Sequence, residues 1–152
     1  MNRRPGAGRR VARMTGTLAC LAAASCATPR HEAALPPAVT PDRLVTSNDG
    51  AFIIAWRIEP ETLPLNEAFG LRIEVRDARQ PGIPLRDVML SVDAAMPEHG
   101  HGMNVIPGVM RDRDGVFHIR DMRFHMPGRW ELYFDVSRGG VTERAQVEVH
   151  LE

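Results

Sequence analysis

His99, His101 and Met103 are spaced by two, with Gly100 and Gly102 between them and Met96-Pro97-Glu98 just before. A second short segment, Phe124-His125-Met126-Pro127-Gly128, brings the same residue types together again. Imidazole and thioether together select copper, above all Cu(I), over harder ions. An extended backbone points His99, His101 and Met103 to one side. In a straight strand those same-side neighbours stand about 6.5–7 Å apart. Two nitrogens bound to one ion at about 2.0–2.1 Å each must come within about 4 Å of one another. A straight strand is therefore too stretched, and the interleaved glycines let the chain bend between ligands. Pro97 and Pro127 stiffen both segments and lower the entropy lost on closing round an ion.

The candidate metal ligands are His99, His101, Met103, His125 and Met126, with Met96 beside them. Glu98 could serve a harder ion, so zinc is the reserve choice. Calcium would need an acidic loop that is not there. The same residues also fit a plainer role: methionine often fills cores, and the histidines could hydrogen-bond a turn. No Ser/His/Asp or Cys/His arrangement, phosphate-binding glycine loop or nucleophile elbow stands out, so the expectation is a non-enzyme. Two functions compete. One is a module that holds or transfers copper; the other is a structural or assembly module that docks to a membrane or respiratory complex without metal.

The chain that must position these residues has 152 residues, a one-domain length. It begins with Arg3, Arg4, Arg9, Arg10 and Arg13, followed by the apolar run Leu18–Ala24. That layout predicts an export signal over residues 1–25, with a run too short to span a bilayer permanently. Ala23-Ala24-Ser25-Cys26 resembles a lipobox, with Ala23 where a branched apolar residue is usual. Cys26 is therefore the candidate lipidation site, which implies a periplasmic or cell-surface protein on a lipid anchor. Cys20 would leave with the signal, so no internal disulfide is expected. Removing the signal takes five arginines and no carboxylate, leaving 14 arginines against 19 acidic residues. A net negative domain argues against nucleic acid as a partner. Residues 26–50, with Pro29, Pro36, Pro37 and Pro41, predict a flexible tether that carries a solvated His31.

From residue 51 to 152 apolar and polar residues alternate with period two. Phe52/Ile54/Trp56/Ile58, Phe69/Leu71/Ile73/Val75 and Val88/Leu90/Val92/Ala94 predict the first three strands. Gln80–Pro84 predicts a turn between the second and third of these. A strand near Val105–Arg111, a hairpin turn at Asp112–Gly115 and a strand with Phe117 and Ile119 follow. His125 and Met126 are expected to open the strand of Trp130, Leu132, Phe134 and Val136. Ala145, Val147, Val149 and Leu151 close the domain, and His118 and His150 should face solvent. About seven short strands with no amphipathic helix predict an all-β, immunoglobulin-like antiparallel β-sandwich. Loops gather at the ends of such a sandwich, which could bring the two His/Met segments together.

Ala-Met-Pro-Glu-His-Gly-His-Gly-Met, followed some twenty residues on by Phe-His-Met-Pro-Gly-Arg-Trp-Glu-Leu, resembles the YtkA-like domain of bacterial exported proteins, itself similar to FixH-type domains. The resemblance covers roughly residues 65–150. It implies a small immunoglobulin-like sandwich outside the cytoplasm, linked with copper handling or with a membrane oxidase-assembly partner. The positions matching its motif are Met96, His99, His101, Met103, His125 and Met126.

Overall fold

The structure is a computed structural model that describes residues 43–152. The export signal, Cys26 and most of the predicted tether lie outside the described residues. In chain order the strands are β1 (Arg43–Thr46), β2 (Phe52–Glu59), β3 (Ala68–Asp77), β4 (Gln80–Pro84) and β5 (Met89–Met96). A short 3-10 turn, Pro97–His99, precedes β6 (His101–Gly102), β7 (Gly108–Arg111) and β8 (Phe117–Arg123). β9 (Gly128–Arg138) and β10 (Val141–Leu151) complete the chain.

The strands form two sheets with every pairing antiparallel. One runs β1-β2-β3-β8-β7 with β4 added to β3, and the other runs β10-β9-β5-β6. The orders β2-β3-β8-β7 and β10-β9-β5 reproduce the A-B-E-D and G-F-C orders of a constant-type immunoglobulin domain. These are the seven strands that the alternation predicts. Period-two patterning identifies six of them because each has one face in the core, as with Trp130, Leu132, Phe134 and Val136 of β9, all fully buried; β7 is exposed along its whole length. Trp56 of β2 meets Phe134 of β9 across the sandwich at 5.6 Å between ring centroids.

Three details differ from the sequence expectation. The domain begins before residue 51, because Arg43–Thr46 pairs along Ile53–Trp56 as an edge strand. The link after it is tied down by a buried polar knot. Ser47 Oγ donates to Glu143 Oε2 at 2.7 Å, the Ala51 N–H donates to the same oxygen at 3.1 Å, and the Asn48 N–H reaches the Arg144 carbonyl at 2.8 Å. Gln80–Pro84 is a strand rather than a turn, pairing Gln80 with Asp77 and Pro84 with Arg76. Proline is tolerated there because the segment lies at an edge. Finally, His125 and Met126 do not open β9, which starts at Gly128; they lie in the crossing from β8 to β9.

On the solvent face of β9, Arg144 Nε and Nη2 clamp Asp135 at 2.7 and 2.8 Å, and those hydrogen bonds hold its carboxyl below the usual range. A carboxyl depressed by folding stabilises above its unfolded pKa of about 3.9 and loses that contribution as pH falls. Asp135→Asn should therefore flatten the acid side of a stability–pH curve and change little below that window. Leu132 lies between Ala94 and Val147 and is fully buried. Leu132→Ala should lower unfolding stability by about 2–5 kcal/mol in urea denaturation, whereas the exposed Gln146→Ala should change it by less than about 0.5 kcal/mol.

Candidate metal centre

Two connections at one end of the sandwich bring the His/Met segments together. The first leaves β5 at Met96 and turns at once through Pro97–His99. Gly100 closes that turn with φ 67°, its N–H donating to the Met96 carbonyl at 3.0 Å and the Pro97 carbonyl at 3.2 Å. A left-handed residue here favours glycine. The chain then runs back along β5, with His101 opposite Met96 and Gly102 opposite Ala95. The Met103 N–H donates to the Ala94 carbonyl at 3.1 Å and continues the reversal. The predicted bend between His99 and His101 is therefore a 3-10 turn followed by a two-residue strand.

The second connection hangs on Trp130. Its indole stacks on Phe124 with centroids 4.5 Å apart and planes 8° apart. Its Nε1–H donates to the Met126 carbonyl at 3.0 Å. A buried indole N–H is best satisfied by such a partner, and this bond ties the residues between Phe124 and Gly128 to β9. Phe124 in turn meets Phe69 edge-on at 4.9 Å.

The two segments converge over that ring. His101 and His125 have ring centroids 5.1 Å apart, and both stand edge-on to Trp130, at 6.2 and 5.5 Å. His99 extends the row at 5.8 Å from His101 and is exposed. Two imidazoles bound to one ion at a tetrahedral angle would place their ring centres about 5 Å apart. The His101–His125 separation matches that spacing. His125 is half-buried, and its Nδ1 is buried without a hydrogen-bond partner. A polar atom in that state calls for an unseen water, an ion or a catalytic role. His101 Nδ1 lies 3.3 Å from the Gly102 carbonyl oxygen. Met103 and Met126 are half-buried and pack against the core cluster beside these rings.

Two expected donors have other work. Met96 is 1% exposed and belongs to the core; a Cβ built at Gly128 would meet its terminal methyl at 3.0 Å. It is a packing residue under the site, because the strict alternation of β5 carries it inward after Val92 and Ala94. Glu98 is engaged by Arg129, whose Nε lies 3.1 Å from Glu98 Oε1 while Nη1 lies 3.2 Å from both Glu131 and Glu148. Glu148 and Glu98 raise the Arg129 guanidinium further above its already high value. Arg129 thus ties the 3-10 turn to β9 and β10. Among the described residues, no three His, Cys, Asp or Glu side chains are arranged to hold one ion. His118 lies on β8 against Asp112 at 3.1 Å, and His150 is exposed on β10.

Residue types and spacing did not reveal the positioning roles of Trp130, Phe124 and Arg129. The available signal was an indole four residues after Met126, whose N–H is best satisfied by a nearby acceptor once buried.

No protein-family model matches the chain, and no curated protein matches it. Two solved structures with a similar arrangement are of FetP from uropathogenic Escherichia coli. A copper-bound variant superposes with a TM-score of 0.48 and 11% identity, over 72% of this chain and 93% of that one. FetP as isolated after recombinant expression in the E. coli periplasm gives a TM-score of 0.43 and 11% identity, over 72% and 91%. At this level of likeness no residue role passes from FetP to this chain.

Trp130→Phe keeps one aromatic ring against Phe124, but it removes the N–H that satisfies the Met126 carbonyl and leaves a small cavity where the indole was buried. It should cost about 1–3 kcal/mol and raise amide hydrogen exchange at residues 125–127 more than across β9.

Proposed function

We propose that this chain is an exported, non-catalytic metal-binding module that holds or transfers copper, with Cu(I) preferred. His101 and His125 are the paired nitrogen donors, Met103 and Met126 supply thioether sulfur, and His99 is the outer donor. The observation that carries this reading is the buried, unpartnered Nδ1 of His125, in a ring spaced from His101 as two imidazoles on one ion would be. A resident ion would satisfy that nitrogen and offset its burial.

The donor set favours copper over zinc. Zinc sites typically use three or four ligands drawn from Cys, His and carboxylate. Here two imidazoles are well placed, Glu98 is held by Arg129, and the remaining nearby donors are thioethers, which suit Cu(I). Half-burial of His125, Met103 and Met126 would shield a bound ion, while the exposed His99 would offer a handle for ligand exchange with an acceptor. In this reading Cys26 carries the lipid anchor and keeps the module at the periplasmic or outer surface of a membrane. The chain is then a member of the YtkA-like group, and its acceptor is a membrane protein such as an oxidase under assembly.

A Cu(I) competition titration against a coloured chelator, on residues 27–152, tests the site. The expected outcome is one-to-one binding, weakened by His101→Ala or His125→Ala beyond the about 10–100-fold typical of outer-shell changes. Met96→Leu should leave the affinity within a few-fold, because Met96 packs in the core. A folded wild-type domain that fails to compete would sink the copper reading and leave a metal-free docking module.

A further inference from the structure

The floor of the His/Met site is an aromatic ring, and its placement gives that ring a role beyond holding a loop. Trp130 is fully buried. One face of its indole is covered by Phe124, stacked with centroids 4.5 Å apart and planes 8° apart. Its Nε1–H is taken by the Met126 carbonyl. The imidazoles of His125 and His101 stand at steep angles to the indole plane, 78° and 68°, with centroids 5.5 and 6.2 Å from its own. The two imidazole centroids are 5.1 Å apart, so the three rings form one close triangle.

An ion bound to both imidazoles at about 2.0–2.1 Å lies about 3 Å from each ring centre. Those two bonds confine it to a small circle around the line that joins the imidazoles. On the inner side of that line it comes within about 3.5 Å of the indole centre, and on the outer side it lies about 7 Å away. A cation interacts with an aromatic face out to about 6 Å. The state of His125 Nδ1 selects the inner side. That nitrogen is closed off from solvent and has no hydrogen-bond partner, and its ring packs against the fully buried Trp130. An ion on His125 Nδ1 therefore stands on the protein side of the imidazoles, next to the indole.

We infer that Trp130 is a specificity-determining residue of this site, its indole making a cation–π contact with the ion that His101 and His125 hold. The role rests on the copper reading proposed above and names what that site selects. Indole is the best of the aromatic side chains for such a contact. It attracts a cation without a formal charge, at a place where the nearby Glu98 carboxylate is drawn off by Arg129. An apolar ring also suits one charge better than two, because the cost of taking an ion out of water rises steeply with its charge. The floor of the site thus favours a soft monovalent ion over a dication.

The test keeps the indole and changes only its electron density. Fluorotryptophans incorporated in place of tryptophan retain the ring shape and the N–H to Met126 while drawing charge from the ring face. Cu(I) affinity is read by chelator competition under reducing conditions, and indole absorption and emission are followed in the same titration. The chain has two tryptophans, so Trp56→Phe repeats the series with Trp130 as the sole indole. The two-tryptophan protein carries the comparison by itself should that variant not fold. The expected result is loss of most Trp130 emission, complete at one equivalent of Cu(I). The affinity should fall stepwise with added ring fluorines, to a total of about 2–30-fold. One-to-one Cu(I) binding that leaves the indole spectrum unchanged, or an affinity indifferent to fluorination, overturns the role of Trp130 while the copper site stands. Absence of Cu(I) binding by the folded, unlabelled protein overturns the copper reading and this role together.

Discussion

The burial of Trp130 is the constraint on which the His/Met end of the molecule depends. Its indole is fully buried, and its one polar atom is satisfied inside the protein, unlike that of the buried Trp56, whose Nε1 has no hydrogen-bond partner. The acceptor is the Met126 carbonyl, on the chain that crosses from one sheet to the other. That bond, with the stacking of Phe124, fixes where His125 stands. On the other side, the register of β6 against β5 fixes His101 opposite the buried Met96. The two imidazoles therefore meet because two independent pieces of backbone are each anchored to the core beneath them. Neither loop needs to be rigid by itself.

This origin accounts for the graded character of the site. Donors nearest the anchors, His125, Met103 and Met126, are half-buried, while His99, one turn further from the core, is exposed. Arg129 adds an electrostatic tie from below, drawing Glu98 toward Glu131 and Glu148 and so restraining the 3-10 turn. The tie removes the one nearby free carboxylate from the donor set and leaves soft ligands and imidazoles. Its partners are partly exposed, so it orients the turn more than it stabilises the domain.

The strands were legible because burying one face of a sheet forces polarity to alternate along each strand. β2, β3, β5, β8, β9 and β10 announce themselves in this way, and β9 most clearly. The short edge strands were not legible. Arg43–Thr46 has only Val45 half-buried, and Gln80–Pro84 has no buried residue, so neither carries an alternation to read. Their strand character comes from backbone pairing with a neighbour, which leaves no mark on side-chain type. The placement of His125 and Met126 in β9 failed for a related reason. Phe124 is buried and His125 half-buried, which mimics the start of an alternating strand, yet the chain at that point is changing sheets.

By itself the sequence determined that this is an all-β chain of about seven short strands, most with one buried face, an arginine-rich N-terminal segment followed by an apolar run, and imidazole and thioether donors gathered in two turn-rich segments. Those properties are local: they follow from side-chain types and their period, and any fold must respect them. Only the tertiary structure decided which donors meet. It placed His101 and His125 over one indole, sent Met96 into the core and gave Glu98 to Arg129. Each of these outcomes depends on strand order, on register and on which polar atoms must be satisfied once buried. Those relations join residues far apart in the chain, and no window along the sequence contains them.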